Sequence, residues 1–259
     1  MLSQIQQALE GHSWQGQIVY LDTVNSTNTY AKQLACQGAQ EGTVVLADRQ
    51  TGGRGRLGRS FSSPAGMGIY LSLILRPNCP PKEIMHLTCA AGVAAVRALD
   101  DPRIGIKWTN DLVLSKRKLG GILTELSVDP KTGLVDWVVI GIGINCCQNN
   151  QDFPPEIRDI ACSLGMVPQQ IPCLIARLIR ALFTMRQQLL TDKPALLAEF
   201  SDRCVTLGQQ ICVVRADTVR HGMAIAVDGD GGLVVEYTDG SRQVVTSGEV
   251  SIRGMYGYV

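Results

Sequence analysis

The sequence predicts an α+β unit, a mixed sheet with helices on one face, followed by a small β-barrel. Two observations carry this. Up to about residue 205, short strand-like runs alternate with apolar stretches at helical spacing, whereas after Leu207-Gly208 the texture shifts to short strands punctuated by Asp-Gly and Gly-Gly turns. The chain's 259 residues also exceed what one core usually needs, so two domains are expected, 1–205 and 206–259, with the boundary near Thr206.

Taken in order, the first dozen residues suit a short helix and Gln17–Leu21 alternates as a strand. The hydroxyl- and amide-rich run Asp22–Asn28 then leads into helical spacing over Thr29–Cys36, so Ser26, Thr27 or Asn28 is expected as its N-cap. Thr43–Ala47 and Gly68–Arg76 read as strands on either side of a glycine-rich loop. Pro81–Leu99 reads as one buried helix opened by two prolines. Strands follow at Ile104–Trp108, Leu112–Leu114 and Leu119–Ser127, with a turn at Thr109–Asp111 and a basic turn at Ser115–Lys118. Val135–Asn145 is a core strand thinned by Gly141 and Gly143, and glycine inside a strand marks close approach of a ligand or another backbone. Pro172 and Pro194 open helices that run to about Leu190 and Cys204. Ile211–Val214, Gly222–Val227, Leu233–Tyr237, Gln243–Thr246 and Val250–Ile252 form the closing strands.

Composition narrows the function classes. A formal net charge of +1 excludes a general nucleic-acid-coating surface, so any basic cluster is local. Nine cysteines without a C-x-x-C pair fit reduced thiols in a cytoplasmic protein, and three histidines, none at ligand spacing, argue against a protein-built transition-metal site. No stretch approaches the length of a membrane span, and no secretory leader opens the chain.

Chemistry concentrates in four places. Gln50–Ser60 sets three arginines among four glycines, a loop whose peptide N–H groups and guanidinium forks suit a phosphate or carboxylate. On composition alone it suits a solvated basic loop equally well. The other three are Ser26-Thr27-Asn28, Lys107-Trp-Thr-Asn-Asp111 and Arg117-Lys118-Leu-Gly-Gly121-Ile122. Taken singly, Asn110-Asp111 is an ordinary turn and Lys116–Lys118 a solvated hairpin tip. Together they offer an oxygen ligand for Mg²⁺ at Asp111 and cations to neutralise phosphate, which is the inventory of phosphoryl or nucleotidyl chemistry. No Walker loop, G-x-G-x-x-G or G-x-S-x-G occurs.

Gly53-Arg-Gly-Arg-Leu-Gly-Arg59, Lys107–Asp111, Arg117–Leu123 and Gly141-Ile-Gly-Ile-Asn145, in that order, resemble the biotin protein ligases, or biotin–[acetyl-CoA carboxylase] ligases, over essentially the whole chain. The resemblance implies a class II synthetase-like catalytic fold with an SH3-like C-terminal barrel. It also implies that biotin and ATP give biotinyl-5′-AMP and diphosphate, with Mg²⁺, before biotin passes to a lysine of a biotin carboxyl carrier domain of a carboxylase. Ser26, Thr27, Asn28 and Gln50 match the ureido side of the biotin site, and Gly53, Arg54, Gly55, Arg56, Lys118 and Gly121 match the rest of it. Arg54, Arg56, Phe61, Lys107, Asn110, Asp111, Lys118 and Asn145 match ATP-site positions, with Lys118, Arg56, Lys107 and Asp111 as the catalytic set. Thr109 stands where a proline is common, and Leu57 where a polar or basic residue is. Only some 25 residues precede Ser26, so the monofunctional type without a DNA-binding domain is expected, with a homodimer left open. Two readings compete: a lipoate or octanoate ligase or transferase of the same fold, and a non-catalytic biotin sensor.

Overall fold

Side chains of the central strands alternate between two separately packed faces, and that alternation decides where everything else lies. The computed structural model describes residues 1–215 and 218–246, together with the backbone of 250–254. The part of the expected second domain that falls at 216–217, 247–249 and 255–259 lies outside the described residues.

The elements are α1 (Leu2–Ala8), β1 (Ile18–Val24), α2 (Thr27–Cys36), β2 (Val44–Gln50), β3 (Gly68–Leu75), α3 (Leu87–Leu99), β4 (Ile104–Lys107), β5 (Asp111–Leu114), β6 (Arg117–Val128), β7 (Val135–Asn145), α4 (Ile171–Gln188) and α5 (Lys193–Arg203). Seven strands form one mixed sheet in the order β1-β2-β3-β7-β6-β5-β4, in which β1 and β2 pair in parallel and the remaining neighbours antiparallel. Val44, Leu46, Leu73, Leu75, Val138 and Ile140 share the main core with α1, α3, α4 and α5. Val45, Ile74 and Val139, the residues between them, pack instead on Ala31 and Ala35 of α2. The helical cover is thus concentrated on one face, while α2, the crossover of the parallel β1–β2 pair, lies on the other. It shields only the β2–β3–β7 part of that second face.

Three local outcomes differ from the sequence expectation. Pro81 opens a 3₁₀ turn, Pro81–Ile84, and the α-helix begins only at Leu87. The β1 and β2 strands run further than their alternation suggested, to Val24 and Gln50, which end opposite each other. Ser115 and Lys116, both at positive φ, make the β5–β6 turn by themselves, so Lys118 belongs to a strand and not to a loop.

The C-terminal strands β8 (Gln210–Arg215), β9 (Thr218–Val227), β10 (Leu233–Tyr237), β11 (Arg242–Val245) and β12 (Val250–Gly254) form an antiparallel sheet in the order β11-β10-β9-β8-β12. Ile211, Ala224, Leu233 and Val235 join the main core, so the two sheets are packed into one hydrophobic body. Trp108 stitches them: its backbone N–H donates to Thr206 Oγ1 (2.8 Å) and its indole N–H to Gly231 O (2.9 Å).

Thr206 is buried, so Thr206→Val keeps the side-chain shape but leaves the Trp108 N–H without that acceptor. Urea denaturation is expected to show a loss of about 1–3 kcal/mol; an unchanged midpoint would mean that the bond does not fasten the junction.

Candidate active site

On the second face, beyond the reach of α2, a cavity of ≈ 590 Å³ opens over β3, β7, β6 and β5. Its floor is thin because two rows of the sheet carry glycine. In the first row Ser72, Gly141 and Leu123 lie side by side, and in the second Gly143, Gly121, Asp111 and Lys107 follow one another across β7, β6, β5 and β4. A Cβ on Gly141 would collide with Asn28 Oδ1, and one on Gly143 would come 2.6 Å from the Phe61 ring. Glycine at these two positions lets the Asn28 amide and the Phe61 ring settle flat on the strands. The close approach expected there is made by the protein's own side chains.

One end of the cavity is neutral and fully hydrogen-bonded. Ser26 caps α2 by accepting from Thr29 N (3.5 Å), which starts the helix two residues earlier than its apolar spacing suggested. Because β1 and β2 end together, Thr27 meets Gln50, whose Oε1 accepts from Thr27 N (2.8 Å) and lies 3.1 Å from Thr27 Oγ1. Gln50 Nε2 donates to Ser63 Oγ (2.9 Å). Asn28 Nδ2 donates to Leu123 O (3.2 Å) and Glu125 Oε2 (3.0 Å), while Asn28 Oδ1 accepts from Ser72 Oγ (2.6 Å). Ser72, Ser63, Glu125 and Lys32, the last in an ion pair with Glu125 (2.6 Å), are participants that sequence reasoning missed. Strand register reveals Ser72 and Glu125, while Lys32 reaches the site from α2 and Ser63 from the loop before β3.

The other end is cationic. Arg54, Arg56, Arg59, Lys107 and Lys118 line it, and among the described lining residues Asp111 is the single carboxylate. The loop that brings the arginines is folded on itself: Arg54 bridges to Ser60, Gly55 N donates to Arg59 O (2.7 Å), and Leu57 and Gly58 take left-handed φ of 56° and 72°. Arg56 Nη1 donates to Asn110 Oδ1 (3.1 Å), and Asn110 Nδ2 in turn donates to Ile122 O (3.0 Å). Burial is the main influence on the Arg56 guanidinium and draws its pKa down; nearby Asp111 opposes this and Arg59 reinforces it. Lys107 is buried, at 8% exposure. Lys118 Nζ lies 2.5 Å from Asp111 Oδ1, a contact made possible by a bulge. Gly120 pairs with Leu112 and Lys118 with Val113, so Leu119 is the extra residue; it drops into the main core while Lys118 turns to the cavity face. Strict alternation from Gly121 would have aimed Lys118 away.

The structure therefore brings fourteen of the fifteen residues singled out from the sequence to one cavity; Gly53 alone stands behind the wall, its carbonyl accepting from Phe61 N (2.9 Å). Phe61 covers Gly143 and sits edge-on to Tyr70, with ring centroids 6.5 Å apart. Asn145 lines the cavity but commits its amide to Cys162 O (3.0 Å) and accepts from Gln148 (3.3 Å). It thereby anchors the segment that follows β7, which adds Phe153, Ile157, Ile160 and Ala161 as an apolar wall and docks on β6 through Lys118 N to Ile160 O (2.7 Å). That segment has no period in the sequence and gave no signal. Among the described residues, no group of three His, Cys, Asp or Glu is arranged to hold a metal ion, and no helix is long and apolar enough to cross a membrane.

Comparison with known proteins agrees with this layout. Residues 20–145 match the Biotin/lipoate A/B protein ligase family, and residues 206–253 match the Biotin protein ligase C terminal domain. The Bifunctional ligase/repressor BirA of Bacillus subtilis (strain 168) is 32% identical over 244 residues, covering 89% of this chain and 72% of that protein. This chain belongs to the biotin protein ligase family. A Biotin--[acetyl-CoA-carboxylase] ligase of Mycobacterium tuberculosis is 31% identical over 251 residues, or 93% of this chain and 90% of that one. The biotin protein ligase fold is also seen in the solved Aquifex aeolicus enzyme in complex with biotin and ATP, with a TM-score of 0.75 at 26% identity, covering 92% of this chain and 99% of that chain.

Gly141→Ala is expected to cost about 1–3 kcal/mol in chemical denaturation, because the added methyl must displace the Asn28 amide. Asn28→Ala in the same background should recover part of that loss. Equal costs in both backgrounds would show that the two residues are not in contact.

Proposed function

We propose that this chain is a biotin–[biotin carboxyl carrier protein] ligase. The biotin carboxylate attacks the α-phosphorus of ATP, giving biotinyl-5′-AMP and diphosphate. The amine of a lysine on a biotin carboxyl carrier domain then attacks the mixed anhydride, forming an amide and releasing AMP. One observation carries the reading: a single cavity has an uncharged hydrogen-bonding end and a cationic end, matching a molecule with a neutral ureido head and an anionic tail that must meet a triphosphate.

Bringing two anions together is a problem of charge and position, and the residues present address both. Lys118, with Arg56 beside it, faces the place where carboxylate and α-phosphate would crowd, and Asp111 holds the Lys118 ammonium at a fixed point. Lys107, held in the same register row as Asp111, adds a cation whose burial strengthens its pull on phosphate. Arg54 and the Gly55 peptide shape the loop over the carboxylate, while Phe61, Asn110 and Asn145 surround the nucleotide. Ser26, Thr27, Asn28, Gln50 and Gly121 hold biotin. The donor set suits a Mg²⁺ that arrives with the triphosphate, since Asp111 would supply one oxygen and phosphate oxygens the others. When bound, the ion would neutralise phosphate charge. Residues 1–205 carry this chemistry and 206–259 form the appended module that Trp108 fastens to it. The near-neutral net charge supports a reading without a DNA-binding role, and nine free cysteines support a cytoplasmic location.

Purified protein with ATP, Mg²⁺, biotin and a carrier domain is expected to yield one biotinylated lysine by mass spectrometry. Biotin binding without transfer would favour a sensor, and modification by lipoate or octanoate in place of biotin a different acyl ligase. Arg56→Ala and Lys118→Ala should each lower biotin-dependent diphosphate release by at least about 100-fold while the protein remains folded. Release at the wild-type rate from either variant would remove that residue from the mechanism.

A further inference from the structure

Lys118 stands where the sheet is irregular on both of its sides. Toward β5 the ladder is interrupted by the bulge at Leu119. Toward β7 it has already ended, since the last β6–β7 pair is Gly120 with Ile144. The segment after β7 takes the place of a neighbouring strand. Lys118 N donates to Ile160 O (2.7 Å) and Cys162 N to Lys118 O (2.9 Å), a short parallel bridge centred on Ala161. Without that bridge both main-chain groups of Lys118 would lose these partners and the end of β6 would be free to fray.

The side chain of Asn145, 5% exposed, ties this bridge to the sheet. Cys162 O can only accept, so the Asn145 atom 3.0 Å from it belongs to the NH₂ group. Asn145 Oδ1 is then turned to accept from Gln148 Nε2 (3.3 Å). Cys162 is held at both ends of its backbone, its carbonyl by Asn145 and its N–H by Lys118 O. Its thiol lies 3.5 Å from Leu114 O and 3.5 Å from Arg117 O, the two residues flanking the β5–β6 turn. A continuous path therefore runs from the Asn145 amide through the Cys162 backbone to the Lys118 backbone.

We infer that Asn145 is a positioning residue for Lys118, acting through Cys162 to fix the point from which the ammonium reaches the cavity. This rests on the ligase reading above, in which Lys118 is the main cation of the carboxylate–phosphate encounter. A side chain that only read the nucleotide base would set the affinity for ATP. One that places Lys118 sets the rate at saturation, because the ammonium must meet charge that develops in the transition state.

Two variants test this. Asn145→Leu keeps the branched shape without a donor, and Cys162→Ala frees the β5–β6 turn from the thiol without altering a residue that lines the cavity. Thermal unfolding confirms that each is folded, and if Asn145→Leu does not fold, Cys162→Ala carries the same measurements. In Asn145→Leu the Lys118 and Cys162 amides should exchange with deuterium about tenfold faster, the loss of one neutral hydrogen bond. Ile122 N, bonded to Asn110 O on the same strand, should keep its wild-type rate. The kcat for biotin-dependent diphosphate release should fall about tenfold or more with KM for ATP unchanged, and Cys162→Ala should move exchange and kcat the same way by a smaller factor. In a Lys118→Ala background Asn145→Leu should cost nothing further, since the group it positions is gone. Unchanged exchange at Lys118 in the folded variant would overturn the inference. So would losses that multiply in the double variant, or a higher KM for ATP with kcat intact. Absence of biotin-dependent turnover in the wild-type protein would instead fail the ligase reading, and the exchange measurement, which needs no ligand, tells the two failures apart.

Discussion

Cations gathered on one wall repel one another, and the contact that makes this gathering tolerable is Lys118 with Asp111. Five basic side chains line the cavity against one described carboxylate, and that carboxylate sits in the register row that also holds Lys107. The arrangement leaves an excess of positive charge in a half-enclosed space, where Coulomb interactions are several times stronger than in bulk water. Burial is the main influence that lowers the affinity of the Arg56 guanidinium for its own proton, with Asp111 opposing it and neighbouring Arg59 adding to it. In the proposed reaction an anionic ligand relieves that unfavourable state, so the feature that costs the unliganded protein stability is the one the proposed chemistry uses.

The sheet's geometry makes the cavity possible. The parallel end of β1 and β2 delivers Thr27 and Gln50 to each other, and glycines in β6 and β7 lower the floor beneath them. Alternation gives the strands a core face and a second face that α2 covers in part and the cavity in part, so the hydrophobic core beneath and the polar site above are two products of one pattern. The bulge at Leu119 departs from it and serves both faces, filling the core with leucine and returning Lys118 to the cavity. Removing the bulge would exchange those two side chains, placing an ammonium in the core.

How much of this the sequence discloses depends on the range of the interaction. Elements with strong periodicity, such as Val135–Asn145, are legible to the residue, because alternation is a local property. The glycine–arginine loop and the lysines are ambiguous by composition alone and legible only in combination, and all but Gly53 of the residues singled out line one cavity. Ser72 and Glu125 are silent: a serine and a glutamate in strand-like runs look like any others until register sets Ser72 beside Gly141 and Asn28 above both. The segment after β7 is silent for a different reason. It is held by backbone bonds to Lys118 and by Asn145, with no helical or strand period to announce it. The break at Met85-His86 and the early strand at Lys118 are likewise matters of tertiary packing and turn chemistry, which local propensity does not contain.

Trp108 extends the argument from the site to the whole molecule. It follows Lys107 directly, lines the cavity, and sends its two N–H groups to Thr206 and to Gly231, one at the start of the C-terminal module and one in its β9–β10 turn. A shift of that turn cannot leave Trp108 in place without leaving a buried donor unpaired, which costs more than the bond itself contributes. The position of the C-terminal sheet and that of the Lys107 backbone are therefore set together. A module whose described residues place no charge in the cavity still constrains the cation row, through one aromatic side chain that both halves of the chain must accommodate.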